Sequence, residues 1–137
     1  MDKHSVKTAF NHNLAFTAKI GDYDVPMDTS DENTSNFGPS PKKLMLASLA
    51  GCTGIDVVSI LNKMKVSFSD FSIEIEAGLT DEHPKIYKDV KMIYQIKVAE
   101  TDQPKMEKAV LLSQDKYCGV SAMFKAFSNV SWEIIYL

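Results

Sequence analysis

The reactive chemistry this chain can offer rests on two cysteines. Cys52 falls inside a long apolar segment, and Cys118 follows Asp115-Lys116-Tyr117 at the opening of a second helical stretch. A thiolate is a nucleophile, and a thiol at a helix N-terminus has its pKa lowered by the free amides and the dipole. Lys116 acts in the same direction. The plain alternative for each cysteine is a small buried side chain, because free Cys is among the most buried residue types. Their wide separation is neither a zinc spacing nor a thioredoxin-type pair. His4, His12 and His83 are scattered, no two at a metal-ligand spacing. No metal site and no cofactor are expected.

The neighbours of Cys52 follow from helical periodicity. Ser48, Cys52, Asp56, Ser59 and Lys63 recur three or four apart, which places them on one polar stripe. Leu46, Leu49, Val57, Ile60 and Leu61 occupy the other faces. The pattern predicts a helix buried on most sides, with Cys52 in the middle of the stripe. Asp56, one turn after Cys52, is either a carboxylate satisfied by backbone donors or a group that orients and tunes the thiol. An ionised Asp raises a neighbouring thiol pKa, so a reactive Cys52 requires a compensating cation. Ala47 with Gly51, and Ala50 with Gly54, set small residues four apart, as the close approach of a second helix or a second subunit would require.

The elements that must hold these residues are legible in outline. Val6, Thr8 and Phe10, then Leu14 to Ile20, then Tyr23 to Met27 alternate as three short strands, with Asn11-His12-Asn13 and Gly21-Asp22 as turns. Asp28 to Ser40 is a polar loop long enough to act as a lid. Ser40-Pro41 is a helix start, N-cap followed by Pro at the first helical position, and the helix runs to about Met64. Phe71 to Ala77 and Val90 to Val98 alternate as two strands. Helical spacing returns after Pro104 and again after Lys116, and Val130 to Tyr136 is a final strand. The order βββ-α-ββ-αα-β implies an α+β fold with an antiparallel-rich sheet around a central buried helix, as a single domain over residues 1–137.

Composition narrows the function. The chain has 137 residues, a net charge of -3 and 15 basic residues, every one a lysine. The absence of arginine and of a basic excess argues against a nucleic-acid partner. Leu44–Leu61 is apolar enough to resemble a membrane span, but Asp56 at its centre favours a helix buried in protein, so no membrane partner is expected. No signal-peptide pattern opens the sequence, and two cysteines are too few for a disulfide scaffold, so a reducing cytoplasm is expected.

Two segments carry a resemblance. Gly38-Pro39-Ser40-Pro41-Lys42-Lys43-Leu44 leads through Ala50-Gly51-Cys52 to Ile55-Asp56-Val57-Val58-Ser59-Ile60-Leu61; the second is Leu112-Ser113-Gln114-Asp115-Lys116-Tyr117-Cys118-Gly119-Val120-Ser121. Together they resemble the family of osmotically inducible protein C and organic hydroperoxide resistance protein (OsmC/Ohr), and within it the YhfA-type branch. The resemblance covers essentially the whole chain. It implies an intertwined homodimer and thiol-dependent reduction of small-molecule hydroperoxides, preferentially organic ones, in oxidative stress defence. It also implies that Cys52 is the peroxidatic cysteine, that Cys118 resolves its sulfenic acid to a disulfide, and that an external dithiol reductant closes the cycle.

The sequence departs from the family at one place. Active members stabilise the thiolate with an Arg from the N-terminal strands, held by a Glu at the start of the cysteine helix. Here there is no Arg, and Pro41-Lys42-Lys43 occupies the helix start. Lys42 or Lys43 is a candidate to supply the cation, less directionally than Arg; Lys7 and Lys19 are the other candidates. Two further functions stay open: a non-catalytic dimeric module binding an apolar or acyl-like small molecule, and thiol or sulfur exchange on another substrate.

Overall fold

A computed structural model describes residues 1–29 and 37–137. The elements follow the expected order: β1 (Lys7–His12), β2 (Ala15–Ile20), β3 (Tyr23–Met27), α1 (Pro41–Lys63), β4 (Phe68–Leu79), β5 (Tyr87–Val98), α2 (Gln103–Leu112), α3 (Gly119–Phe127) and β6 (Asn129–Tyr136). They form an α+β chain with two three-stranded sheets. The described residues divide into two compact units, 1–46 and 47–137, with the division inside α1.

The first unit is an antiparallel meander, β1-β2-β3. Gly21, at φ +61°, makes the β2–β3 turn in the left-handed region that glycine enters at no steric cost. The β1–β2 turn falls one residue later than the sequence suggests: Asn11 and His12 remain in β1, and Asn13 takes the positive φ. Phe10 and Phe16 face each other across β1 and β2 at 5.5 Å, yet both are exposed, and β1 is exposed along its whole length. Two contacts close the base of the loop expected as a lid. Asp28 donates its backbone N–H to the Pro39 carbonyl at 3.1 Å. Gly38 packs so tightly on the Pro26 carbonyl that a Cβ would lie 2.6 Å from it. Residues 30–36 of that loop lie outside the described residues. Ser40 then caps α1, its Oγ accepting the Lys43 backbone N–H at 3.3 Å, with Pro41 at the first helical position.

In the second unit β4 and β5 pair antiparallel, while β5 and β6 pair parallel. A parallel neighbour needs a crossover, and α2 and α3 supply it. The register aligns Ile73, Tyr94 and Ile134 in one row and Ile75, Met92 and Trp132 in the next. Val90, Met92, Tyr94 and Ile96 are buried. The helix seated in this unit buries one stripe only, Leu49, Thr53, Val57 and Leu61. The expectation that α1 is buried on most sides is therefore not met within one chain: Ile55 is 73% exposed and Met45 44%. By length and composition α1 could cross a membrane. Gly54 explains how it sits so close to the sheet. A Cβ there would lie 3.2 Å from Ile73 Cδ1 on β4, so the small residue lets the strand approach closely.

Candidate active site

Cys118 is the N-cap of α3. A single π turn, Ser113–Tyr117, connects α2 to it, and its backbone N–H closes that turn on the Ser113 carbonyl at 2.8 Å. The wider turn inserts one residue beyond α-helical pitch, a distortion frequent at functional sites. It leaves the Cys118 side chain buried, 3% exposed, with Sγ accepting the Ser121 backbone N–H at 3.3 Å. Sulfur here takes the place that oxygen takes at an ordinary cap.

The π turn and the middle of α1 bring the two cysteines together. Both are free thiols, and each lies within electrostatic reach of the other. The Cys118 pKa is raised to about 11, first by burial and then by the neighbouring Cys52 thiol. The Ser121 amide opposes this, while the charges of Cys52 and Asp56 add to it. The expected lowering of the Cys118 pKa is corrected: burial outweighs the helix terminus. Lys116 makes its contact elsewhere, 5.3 Å from the Tyr117 ring centre.

Asp56 is half-buried one turn beyond Cys52, and its Oδ2 accepts from Ser113 Oγ at 3.0 Å. Its partner is therefore a side chain, where backbone donors were one expectation. Behind it lies a buried polar cluster that the sequence did not reveal. Thr53 Oγ1 is 2.8 Å from Ser113 Oγ and 2.6 Å from the Tyr94 hydroxyl. Gln114 Nε2 donates to Thr53 Oγ1 at 3.2 Å and to the Tyr94 hydroxyl at 3.1 Å, and Gln114 Oε1 accepts from Ser121 Oγ.

Proton counting orders this cluster. A carboxylate only accepts, so Ser113 spends its single proton on Asp56. Thr53 must then donate to Ser113, and Tyr94 to Thr53. The result is one directed line, Tyr94 to Thr53 to Ser113 to Asp56, with Gln114 bracing it. Burial raises the Tyr94 pKa, Thr53 and Gln114 lower it, and the nearby charges of Cys118 and Asp56 raise it further, as fits a hydroxyl that keeps its proton. Among the described residues, every buried side-chain N and O has a partner. The one available signal for the cluster was Thr53, four residues from Leu49 and Val57 on what becomes the buried stripe.

The candidate cations belong to the first unit. Lys42 and Lys43 occupy the exposed first turn of α1. They precede Cys52 by ten and nine residues in the sequence. Lys7 and Lys19 are directly opposed across β1 and β2, both exposed. No cluster of three metal-ligating side chains occurs among the described residues. Asp56 also lines a cleft of about 320 Å³ with Lys63, Ile60, Met64, Leu112 and Tyr117.

Known proteins share this arrangement of elements. Protein YhfA of Escherichia coli (strain K12) is 29% identical over 107 residues, covering 77% of this chain and 80% of that protein. A hypothetical protein from Aquifex aeolicus VF5 has a solved structure that is 29% identical with a TM-score of 0.82, covering 100% of this chain and 99% of that one. The organic hydroperoxide resistance protein OhrB of Bacillus subtilis shares the fold at 17% identity, with a TM-score of 0.65 over 95% of this chain and 97% of its own. The family model for OsmC-like proteins matches residues 30–133, a span that holds both cysteines, the helix that carries Cys52 and the π turn that delivers Cys118. The chain belongs to the OsmC-like protein family.

Proposed function

We propose that this protein is a cysteine peroxidase that reduces organic hydroperoxides. The observation that carries the reading is the pair of free thiols, Cys52 on α1 and Cys118 at the start of α3, brought within electrostatic reach of each other. Cys52 sulfur, as thiolate, attacks the outer peroxide oxygen. An S–O bond forms, the O–O bond breaks, and the alcohol leaves with a proton. Cys118 sulfur then attacks Cys52 sulfur, an S–S bond forms and water departs. An external dithiol restores both thiols. The occurrence of an organic hydroperoxide resistance protein among relatives of this fold supports the substrate class.

Activation of Cys52 without an arginine falls to a lysine, Lys42 or Lys43 at the start of α1, with Lys7 and Lys19 the other candidates. The uncovered apolar side of α1 supports a homodimer. Gly51, Gly54, Ile55, Val58 and Phe71 line a groove of about 640 Å³ along it. The two thiols, stable only in a reducing compartment, support a cytoplasmic location. A second reading, a module binding an apolar or acyl-like molecule, is favoured by the cleft lined by Ile60, Met64 and Leu112.

Intact-mass analysis of the reduced protein after about one equivalent of an organic hydroperoxide or of hydrogen peroxide separates the two. Loss of two hydrogens, mapped to a Cys52–Cys118 bridge and faster with the organic peroxide, is the expected result. Survival of both thiols removes the peroxidase reading and leaves the binding module. Cys52→Ser abolishes consumption of peroxide, while Cys118→Ser consumes it once and stops at the sulfenic acid.

A further inference from the structure

The resolving step poses a problem that the site must solve. Cys118 attacks as a thiolate, yet it is buried and protonated at neutral pH, and the hydroxide leaving Cys52 needs a proton. We propose that Asp56 carries that proton, taking it from Cys118 as the S–S bond forms and giving it to the departing hydroxide, with Ser113 as the positioning residue. The proposal rests on the peroxidase reading for its leaving group, but not for the removal of the proton.

Three observations place Asp56 for this task. It sits one turn from Cys52 on the same face of α1. Ser113 grips both partners at once: its Oγ donates to Asp56 Oδ2 at 3.0 Å, and its carbonyl accepts the Cys118 backbone N–H at 2.8 Å. Among the described residues, Asp56 Oδ1 takes no hydrogen bond, and Asp56 lines an open cleft through which water can leave. The directed line from Tyr94 through Thr53 presents Ser113 as a donor to Asp56 Oδ2. Atoms and charge balance: the sulfenic acid and the thiol become a disulfide and water, and Asp56 ends as it began.

Charge and proton transfer predict opposite outcomes for Asp56→Asn. The groups facing Cys118 are Cys52 and Asp56 from α1 and Tyr94 from β5. If Asp56 acted only as a negative charge beside the thiol, its removal would ease ionisation of Cys118 and speed closure. A base role requires closure to slow.

The test loads Cys52 with a nitrobenzoate disulfide reagent and follows release of the second chromophore as Cys118 closes the bridge. Wild type closes at neutral pH. Asp56→Asn closes at least tenfold more slowly, its rate climbing about tenfold per pH unit because closure then tracks the Cys118 thiolate alone. Ser113→Ala shows a smaller slowing with the same change in slope, and carries the test if Asp56→Asn fails to fold. Closure at the wild-type rate or faster in both variants overturns the proposal, as does a wild type that does not close. A sulfenic-acid trap run in parallel with an organic hydroperoxide tests the parent reading. Asp56-dependent closure without any sulfenic acid removes the peroxidase and leaves the proton role intact.

Discussion

Cys118 is subject to two opposed effects. Its place at the start of α3 gives it an amide that favours the thiolate, and its burial favours the thiol. Burial dominates, holding the pKa at about 11 against an ordinary value near 9. The folded state therefore keeps a proton that the unfolded chain releases as pH rises past about 9. The stability this contributes is full below that pH and is lost as pH rises through about 11. Tyr94, Tyr87 and Tyr136 are raised by burial and add in the same sense at higher pH. Urea unfolding of the reduced protein from about pH 8 to about pH 11 is expected to show a loss in wild type exceeding that in Cys118→Ala by up to roughly 2 kcal/mol. An equal loss in both shows that the thiol does not contribute. The two cysteines were legible as chemistry in the sequence. The direction of this shift was not, because the dipole is local to the helix start whereas desolvation comes from packing by α1 and β5.

At the scale of elements, α1 does two jobs with adjacent stripes. Leu49, Thr53, Val57 and Leu61 bind it to the sheet, and Cys52 and Asp56 stand one position over. Thr53 belongs to both, since it is fully buried and joins Tyr94 on β5 to Ser113 in the π turn. Thr53→Val keeps the shape and removes the junction. Its expected cost is about 1–3 kcal/mol in chemical denaturation, from hydroxyl and amide groups left without partners. A cost under about 0.5 kcal/mol would mean that the cluster repacks. At the other end, Ser40→Ala removes the cap on the Lys43 amide and is expected to lose about 1 kcal/mol by the same measurement. Helix limits were readable because Ser40 and Pro41 are local signals. The parallel pairing of β5 with β6 was not, because alternation gives a strand's faces but not its neighbours.

For the whole molecule, one chain leaves much apolar surface uncovered. Ile55 is 73% exposed, and Phe10 and Tyr23 of the meander are 62% and 77% exposed. Scattered exposed hydrophobes are ordinary, but a groove of about 640 Å³ along α1, lined by Gly51, Ile55, Val58 and Phe71, is the surface that the proposed dimer would cover. Ile55→Asp is expected to weaken self-association at least tenfold, about 1.4 kcal/mol, read by light scattering across a dilution series. If a lysine at the start of α1 activates Cys52, Lys42→Met and Lys43→Met raise the Cys52 pKa, followed by the pH dependence of thiol alkylation. No change in either variant removes those two lysines as the activating cation.

By itself the sequence determined the element order, the helix start at Ser40-Pro41, the inward faces of β4, β5 and β6 and the identity of the two thiols. Each of these depends on residues within a few positions of one another, where periodicity and capping act. Only the tertiary structure decided what depends on distant residues meeting. It set Cys52 against Cys118 through a π turn that no local pattern announces, and it packed Gly54 on Ile73 of β4. It also assembled Thr53, Tyr94, Ser113 and Gln114 around Asp56. Such contacts form because buried polar groups must find partners wherever the chain's folding supplies them, and that supply is a property of the fold rather than of any segment.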